Sequence, residues 1–232
     1  MRKIILKLSL DTDGLKREAL ALKAFAGFGA VNVLIESDGM LLLERAAPGV
    51  SLKSYFPEKD NNAIKITCEC VKRLHQAPIP SDHHFPHIND WLMALDKNLS
   101  IPADYLHKAR KLRDELSATS TTPALLHGDL HHDNILQNGD SWVVIDPKGV
   151  TGEPAYEVAA FIRNPIPKLL AHNNASSLID NRITQFAEIL KLSKQRIIDW
   201  CYVQAILAWA WALEDNFDET YFKKLAELFN RY

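Results

Sequence analysis

The sequence predicts an α+β protein in which a small, β-rich N-terminal lobe precedes a larger and mainly helical C-terminal lobe. Two observations lead to this prediction: short strand patterns dominate the first part of the chain, and helical periodicity dominates the rest. A chain of 232 residues is long enough for two lobes that share a cleft. We place the boundary so that residues 1–48 form the N-terminal lobe and residues 49–232 form the C-terminal lobe.

The N-terminal lobe is expected to contain a strand, a helix and a hairpin, in that order. The leucine- and isoleucine-rich run over residues 4–10 predicts the first strand. Apolar spacing over residues 15–25 predicts an amphipathic helix, which glycines close. Residues 31–35 and 40–45 predict two antiparallel strands, because the intervening Glu-Ser-Asp-Gly tolerates positive φ.

The C-terminal lobe begins where Pro48-Gly49 interrupts the strand pattern. Helical periodicity is shared by six segments: residues 61–75, 88–99, 104–118, 178–190, 194–213 and 220–229. The only strand-like stretches in this lobe are residues 124–126, 135–137 and 142–145. These short strands flank a polar segment, so we expect a functional loop between them.

Composition limits the class of partner. The formal net charge is −2, so no basic excess supplies the counterion release that drives nucleic-acid binding, and we expect no nucleic-acid partner. No apolar run approaches the roughly 20 residues that cross a bilayer, so we expect no membrane partner. Cys68, Cys70 and Cys201 lack the spacing of common zinc or redox motifs and indicate free thiols in a cytoplasmic protein. The oligomeric state is left open.

Residues 127–134 carry an unusual density of polar groups. They read His-Gly-Asp-Leu-His-His-Asp-Asn, with five ionisable residues between two apolar stretches. Polar groups beside buried strands cost free energy unless they find partners. The apolar stretch 142–145 ends directly at Asp146, which places this carboxylate where it could face the polar loop. The pattern indicates a chemical site.

The residue types at this site suit phosphoryl transfer. Asn134 and Asp146 supply oxygen ligands for Mg²⁺, which binds a few protein oxygens together with nucleotide phosphates and water. Asp129 is then a spare carboxylate that can position an attacking hydroxyl and accept its proton. We therefore predict a loop over residues 127–134 with Asp129 as the catalytic base, and ATP and Mg²⁺ as cofactors.

Other interpretations compete with this one. Asp129 and Asn134 could instead form local turns, and Asp146 could simply end a strand. The histidines could bind a transition metal in a hydrolase, but their spacing does not fit the His-x-His-x-Asp-His pattern. We prefer the phosphoryl-transfer interpretation because the three residues occur together in the required order.

These residues resemble the aminoglycoside phosphotransferase family, whose pattern is His-Gly-Asp, four residues, then Asn, and later a strand that ends in Asp. The run over residues 145–159, Ile-Asp-Pro-Lys-Gly-Val-Thr-Gly-Glu-Pro-Ala-Tyr-Glu-Val-Ala, looks like the branch named for streptomycin and hydroxyurea resistance kinases. The resemblance implies a bilobal, protein-kinase-like fold. It also implies transfer of phosphate from ATP to a hydroxyl group of a small molecule.

The resemblance extends to the N-terminal lobe. Lys7 lies in the first strand, as the phosphate-binding lysine does in these kinases, and Glu18 lies in the next helix, where its ion-pair partner is expected. Glu44 belongs to a segment, residues 41–45, that is similar to the inter-lobe connection on which adenine packs. The resemblance therefore implies that Lys7, Glu18 and Glu44 contribute to nucleotide binding.

The acceptor side is less defined. Trp200, Trp209 and Trp211 lie with Tyr202 in one predicted helix, which we interpret as core packing, although the resemblance implies that late helices line the acceptor pocket. Four acidic residues could hold a cationic acceptor or act as caps and surface charges: Glu153, Glu157, Glu214 and Asp215. Lys148 could contact phosphate or simply occupy a solvated turn.

The start of the chain departs from the family pattern. In relatives two strands and a phosphate-covering loop precede the lysine strand, whereas here six residues precede Lys7, so we expect that hairpin to be missing. Two hypotheses follow. The chain is an ATP-dependent phosphotransferase acting on an aminoglycoside-like, streptomycin-like or hydroxyurea-like hydroxyl compound, or it is a non-catalytic kinase-like protein with impaired ATP binding. The acceptor, and a role in resistance or metabolism, stay open.

Overall fold

The computed structural model describes residues 4–82, 84–120 and 122–232; residues 1–3 of the predicted N-terminal lobe lie outside the described part. The strands are β1 (Ile4–Leu8), β2 (Val33–Ser37), β3 (Met40–Glu44), β4 (Pro48–Ser51), β5 (Ala124–Leu126), β6 (Ile135–Asn138), β7 (Ser141–Val144) and β8 (Val150–Gly152). The helices are α1 (Thr12–Ala24), α2 (Asp60–Leu74), α3 (Ile88–Leu92), α4 (Ala103–Ala118), α5 (Val158–Ile162), α6 (Lys168–Ala171), α7 (Ala175–Leu190), α8 (Lys194–Glu214) and α9 (Thr220–Phe229).

The N-terminal region forms an antiparallel sheet in the order β1-β3-β2, with α1 beside it. Helix α1 begins after Asp11, whose side chain accepts a hydrogen bond from Gly14 N at 2.9 Å and so satisfies an unpaired amide of the first turn. Its apolar face buries Leu15 and Leu22. The predicted strand, helix and hairpin are confirmed, although the first strand ends at Leu8 rather than at residue 10.

Two smaller sheets frame the polar segment. One has the order β4-β6-β7, and the other pairs β5 with β8. The prediction that residues 124–126, 135–137 and 142–145 are the only strands after residue 48 was therefore wrong. Strand β4 contains Pro48 and Gly49, which sequence patterns assign to turns, and β8 is only three residues long. Strand β4 begins at Pro48 and pairs with β6, which lies far along the chain. The division of the chain into two lobes at residue 48 stays a prediction.

The remainder of the described chain is mainly helical and packs around α8. Trp200 and Tyr202 are 1% exposed and Trp209 is 4% exposed, so the core interpretation is confirmed for these three residues. It was wrong for Trp211, which is 37% exposed because it lies on the face of α8 that borders a cleft. The predicted helix over residues 88–99 was too long, because α3 ends at Leu92 and a short 3-10 turn ends at Asp96. Helices α5 and α6 span only five and four residues and were not predicted. Among the described residues no helix combines the length and apolarity needed to cross a membrane.

Candidate active site

Glu157 anchors the start of the polar loop. Its two carboxylate oxygens accept hydrogen bonds from His127 N at 2.7 Å and from Gly128 N at 3.0 Å. The Glu157 side chain is buried, because it stands immediately before the apolar helix α5. Two backbone amides at the end of β5 thus find a charged acceptor inside the protein, which compensates the cost of burying them.

His127 joins the polar loop to the segment that carries Asp146. Its ring Nε2 lies 2.8 Å from Ile145 O, and its own carbonyl accepts a hydrogen bond from Lys148 N at 2.7 Å. Burial lowers the pKa of His127, so a neutral ring that donates from Nε2 fits this contact. Residues on both sides of Asp146 are therefore fixed to the loop by His127.

Gly128 allows a close approach that other residues would block. Its φ is +82°, and a Cβ there would stand 2.8 Å from Trp91 Cη2 and 2.9 Å from Val150 Cγ1. A side chain at this position would have to displace packed neighbours. The glycine of the His-Gly-Asp pattern thus lets the loop turn against the indole of Trp91 and presents the next residue, Asp129, to the cleft.

Asp129 lies between the side chains of Arg163 and His131. Arg163 Nη2 lies 3.4 Å from Asp129 Oδ1, and His131 Nε2 lies 3.6 Å from Asp129 Oδ2. Burial alone would raise the pKa of Asp129, but the interaction with His131 and the charge of Arg163 hold that pKa below its ordinary value. The carboxylate is therefore ionised near neutral pH and able to accept a hydrogen bond from a hydroxyl.

The side chain of Asn134 is oriented by the same loop. Its Nδ2 donates to Asp129 O at 2.9 Å, which leaves the amide oxygen as the atom available to a cation. The Asn134 carbonyl accepts a hydrogen bond from Ile145 N at 3.0 Å. Asn134 is thus tied to the residue that precedes Asp146.

Asp146 forms an ion-pair cluster with Lys7 and Glu18 of the N-terminal region. Lys7 Nζ lies 2.6 Å from Asp146 Oδ1 and 2.7 Å from Glu18 Oε2. Asp146 itself has φ of +58°, an uncommon conformation for a residue other than glycine, and such strain concentrates at functional sites. The structure therefore brings Lys7, Glu18 and Asp146 together, although they come from β1, α1 and the segment after β7.

The cluster shifts the pKa values of its members in different directions. Burial raises the pKa of Glu18 despite the neighbouring lysine. For Asp146 burial alone would also raise the pKa, but the hydrogen bond and charge of Lys7 outweigh it and keep that pKa below its ordinary value. Burial alone would lower the pKa of Lys7, yet its two carboxylate partners hold it above its ordinary value. Lys7 and Asp146 are therefore charged near neutral pH.

Glu44 does not join this cluster. It pairs with Ile4 in the β1–β3 ladder, three residue pairs from Lys7, which corresponds to roughly 10 Å along the strand. Its side chain accepts a hydrogen bond from Asn32 Nδ2 at 2.7 Å. The residues predicted to bind the nucleotide thus divide into the pair Lys7 and Glu18, which lies beside Asp146, and Glu44 at the end of β3.

Two residues at this site were not assigned by sequence reasoning. Sequence patterns suggest only an acceptor ligand, a cap or a surface charge at Glu157, and they assign no role to Arg163. Both flank the continuous apolar run Val158–Ile162, which is buried throughout. Charged residues at the two ends of a fully buried segment need partners inside the protein. This pattern in the sequence could have pointed to Glu157 and Arg163.

A cleft of about 700 Å³ opens beside the cluster and the loop. Lys7, Glu18, Asp129 and Lys148 line it, which places Lys148 at the cleft. Neither Glu153 nor Glu157 can hold an acceptor, because both are buried and bonded within the protein. Glu214 pairs with Lys97 at 2.7 Å, whereas Asp215 lines the cleft.

The donor set fits a hard cation shared with a phosphate better than a dedicated metal site. Among the described residues no group of three or more His, Cys, Asp or Glu side chains is placed to hold a metal ion. Mg²⁺ needs only one or two protein oxygens when phosphates and water complete its coordination. The Asp146 carboxylate and the Asn134 amide oxygen match this requirement.

Comparisons with known proteins identify the family of the chain. Residues 3–216 match the family model described as aminoglycoside/hydroxyurea antibiotic resistance kinase. The streptomycin 3''-kinase of Klebsiella pneumoniae is 29% identical over 199 residues, which cover 82% of this chain and 73% of that protein. The hydroxyurea phosphotransferase of Kitasatospora aureofaciens is 28% identical over 223 residues, covering 91% of this chain and 62% of that protein. The chain thus spans less than two thirds of the second relative's length.

A solved structure shows the same fold. The crystal structure of aminoglycoside phosphotransferase APH(4)-Ia superposes with a TM-score of 0.74 at 17% identity, covering 99% of this chain and 86% of that one. At this identity the likeness concerns the fold alone. It confirms the predicted bilobal, protein-kinase-like α+β class.

Proposed function

The chain belongs to the aminoglycoside/hydroxyurea antibiotic resistance kinase family, and from this premise we propose that it is an ATP-dependent phosphotransferase acting on a hydroxyl group of a small polar molecule. One observation carries the proposal. The Lys7–Glu18–Asp146 cluster lies beside the same cleft as Asp129, so the groups that we propose for phosphate binding and for hydroxyl binding border one space.

Asp129 is the proposed catalytic residue. Its ionised carboxylate orients the acceptor hydroxyl toward the γ-phosphorus of ATP, and the bond between that phosphorus and the β–γ bridging oxygen breaks as the new oxygen–phosphorus bond forms. The hydroxyl proton passes to Asp129, and ADP leaves. Because the pKa of Asp129 is low, positioning contributes more than early proton removal.

The remaining predicted residues act on the nucleotide. Lys7 contacts the phosphates, and Glu18 positions the Lys7 ammonium through their 2.7 Å ion pair. Asn134 and Asp146 are proposed to hold Mg²⁺, which when bound neutralises phosphate charge. Glu44 is proposed at the adenine end of the site, because it lies along the same strand ladder as Lys7 but apart from the cluster.

The acceptor and the biological role are proposed from the relatives. The names of the two relatives make streptomycin-like and hydroxyurea-like compounds the reference acceptors for a first screen, and they suggest a role in drug resistance. A cytoplasmic site of action would give the enzyme ATP, and it agrees with the free thiols of Cys68, Cys70 and Cys201.

A turnover screen tests this proposal. The protein is incubated with ATP, Mg²⁺ and each candidate acceptor, and both ADP and the phosphorylated product are measured by mass spectrometry. We expect one or more acceptors to gain a phosphate and Asp129→Asn to lower kcat by about 10²- to 10⁴-fold. Asp133→Asn is the matched control. Asp133 lies on the same loop as Asp129, but its carboxylate pairs with Lys53 Nζ at 2.9 Å. No phosphorylated product with any acceptor, together with impaired ATP binding, would favour the non-catalytic alternative.

A further inference from the structure

One wall of the cleft is aromatic and continues from the proposed catalytic loop. Trp91 lies against Gly128, the residue before Asp129, and its ring meets that of Trp211 at a centroid distance of 6.0 Å and an angle of 77°. Phe217 and Phe222 also line the cleft. Trp211 is 37% exposed, whereas the other tryptophans of α8 are buried, so its indole is available to a molecule in the cleft.

A carboxylate stands at the end of this wall. Asp215 lies at the C-terminal end of α8, one turn after Trp211, whose carbonyl accepts a hydrogen bond from Asp215 N at 2.9 Å. No side chain of the described residues bonds to its carboxylate, and the last turn of α8 contains no basic residue. Helix C-termini carry partial negative charge, so a carboxylate there is unfavourable unless a cation is near. Both features favour a cationic ligand.

The cleft as a whole is not acidic. Its lining contains four carboxylate residues, Asp11, Glu18, Asp129 and Asp215, against four basic residues, Lys7, Arg17, Lys148 and Arg163. Lys7 and Arg163 already pair with the carboxylates nearest the reaction. A polycation with several amino or guanidino groups would therefore meet as many positive charges as negative ones.

We propose that the acceptor is a small alcohol with a single organic cation, which Trp211 and Asp215 bind while the hydroxyl faces Asp129. Aromatic faces attract ammonium groups through their quadrupoles, and the nearby carboxylate adds a direct charge interaction. The assignment of this cation as the phosphate acceptor rests on the proposed function. Binding of the cation does not, and it can be measured without turnover.

The test is a calorimetric titration of the full chain with three probes. Choline carries one quaternary ammonium and a hydroxyl, 3,3-dimethylbutan-1-ol is its neutral counterpart of the same shape, and streptomycin is a polycation. We expect choline to bind measurably, its neutral counterpart to bind about tenfold more weakly or not at all, and streptomycin to bind no better than choline. Tighter binding of streptomycin, or equal binding of the two alcohols, would overturn the proposal.

Variants locate the site. Trp211→Ala and Asp215→Asn are each expected to weaken choline binding about threefold to tenfold. Glu219→Gln is the matched control, because it removes a nearby negative charge from a residue that does not line the cleft. Choline binding that is unchanged in both cleft variants would overturn the assigned subsite.

The outcome is separable from that of the proposed function. ATP binding in the presence of Mg²⁺ is measured on the same samples. Choline binding with no ATP binding would contradict the kinase proposal but support the cation subsite. ATP binding and turnover without choline binding would remove the subsite and leave the kinase.

Discussion

Lys7 Nζ lies 2.6 Å from Asp146 Oδ1, although 139 residues separate the two along the chain. The contact joins the first strand to the segment that follows β7, so it connects the N-terminal sheet to the polar loop. Glu18 Oε2 lies 2.7 Å from the same ammonium. Two carboxylates therefore share one lysine at the position where we propose that nucleotide phosphates bind.

Replacing the lysine tests its electrostatic role. In Lys7→Met the side-chain length is kept but the charge is lost, which leaves Glu18 and Asp146 without their shared partner. We expect kcat/KM for ATP to fall by about 10²-fold or more, because one preorganised charge on the transferring phosphate is removed. Lys16→Met is the control, since Lys16 pairs with Asp38 on the surface. Equal activity of both variants would argue against phosphate binding by Lys7.

Glu157 should stabilise the polar loop and the fold together. In Glu157→Gln an amide NH2 replaces one of the two acceptor oxygens. This NH2 is a donor that faces the N–H of His127 or Gly128, so one hydrogen bond is lost. We expect the free energy of unfolding to fall by about 1–3 kcal/mol in urea titrations, and kcat to fall while the KM for ATP changes little. Glu188→Gln on the exposed face of α7 is the control, and its free energy of unfolding should lie within about 0.5 kcal/mol of that of the unaltered chain. A Glu157 variant as stable as that control would contradict the anchoring role.

His132 should make stability depend on pH. The His132 ring is buried and stacks on the Phe161 ring, with 3.9 Å between the ring centroids. Burial lowers the pKa of His132 from 6.5 to about 4. The unfolded chain then binds a proton more readily than the folded one. The stabilisation from the neutral ring is therefore complete above pH 6.5 and is lost as the pH falls toward 4.

The expected loss can be isolated with one variant. Between pH 7 and pH 5 the linkage of a single such histidine amounts to about 2 kcal/mol. His132→Phe keeps an aromatic ring against Phe161 but cannot be protonated, so its free energy of unfolding should fall by about 2 kcal/mol less over the same interval. Urea unfolding of both proteins at the two pH values measures this difference. Parallel losses would show that His132 is not buried in its neutral form.

The sequence was most informative where side chains repeat with a period or form a contiguous motif. The amphipathic face of α1 and the apolar length of α8 predicted those helices, and the spacing from Asp129 to Asn134 predicted the polar loop. Lys7 and Glu18 were assigned through the family resemblance, because no local pattern relates a residue of β1 to Asp146. Their contact depends on tertiary packing between distant segments.

The remaining features had no periodic signal. Strands β4 and β8 gain their hydrogen bonds from partners far along the chain, and each is too short to show alternation. Arg163 follows a buried helix of five residues, and its contact with Asp129 depends on how that helix packs. The different environments of Trp209 and Trp211, two residues apart on α8, likewise depend on the elements that cover each face.

Mg²⁺-dependent ATP binding, measured by calorimetry on the unaltered chain and on Asp146→Asn, tests the kinase account most directly. Asparagine suits the comparison because it tolerates the positive φ at this position while removing the charge. We predict that the unaltered chain binds ATP only with Mg²⁺ present and that the variant binds at least about tenfold more weakly. An unaltered chain that does not bind ATP, or a variant that binds equally well, would contradict the account.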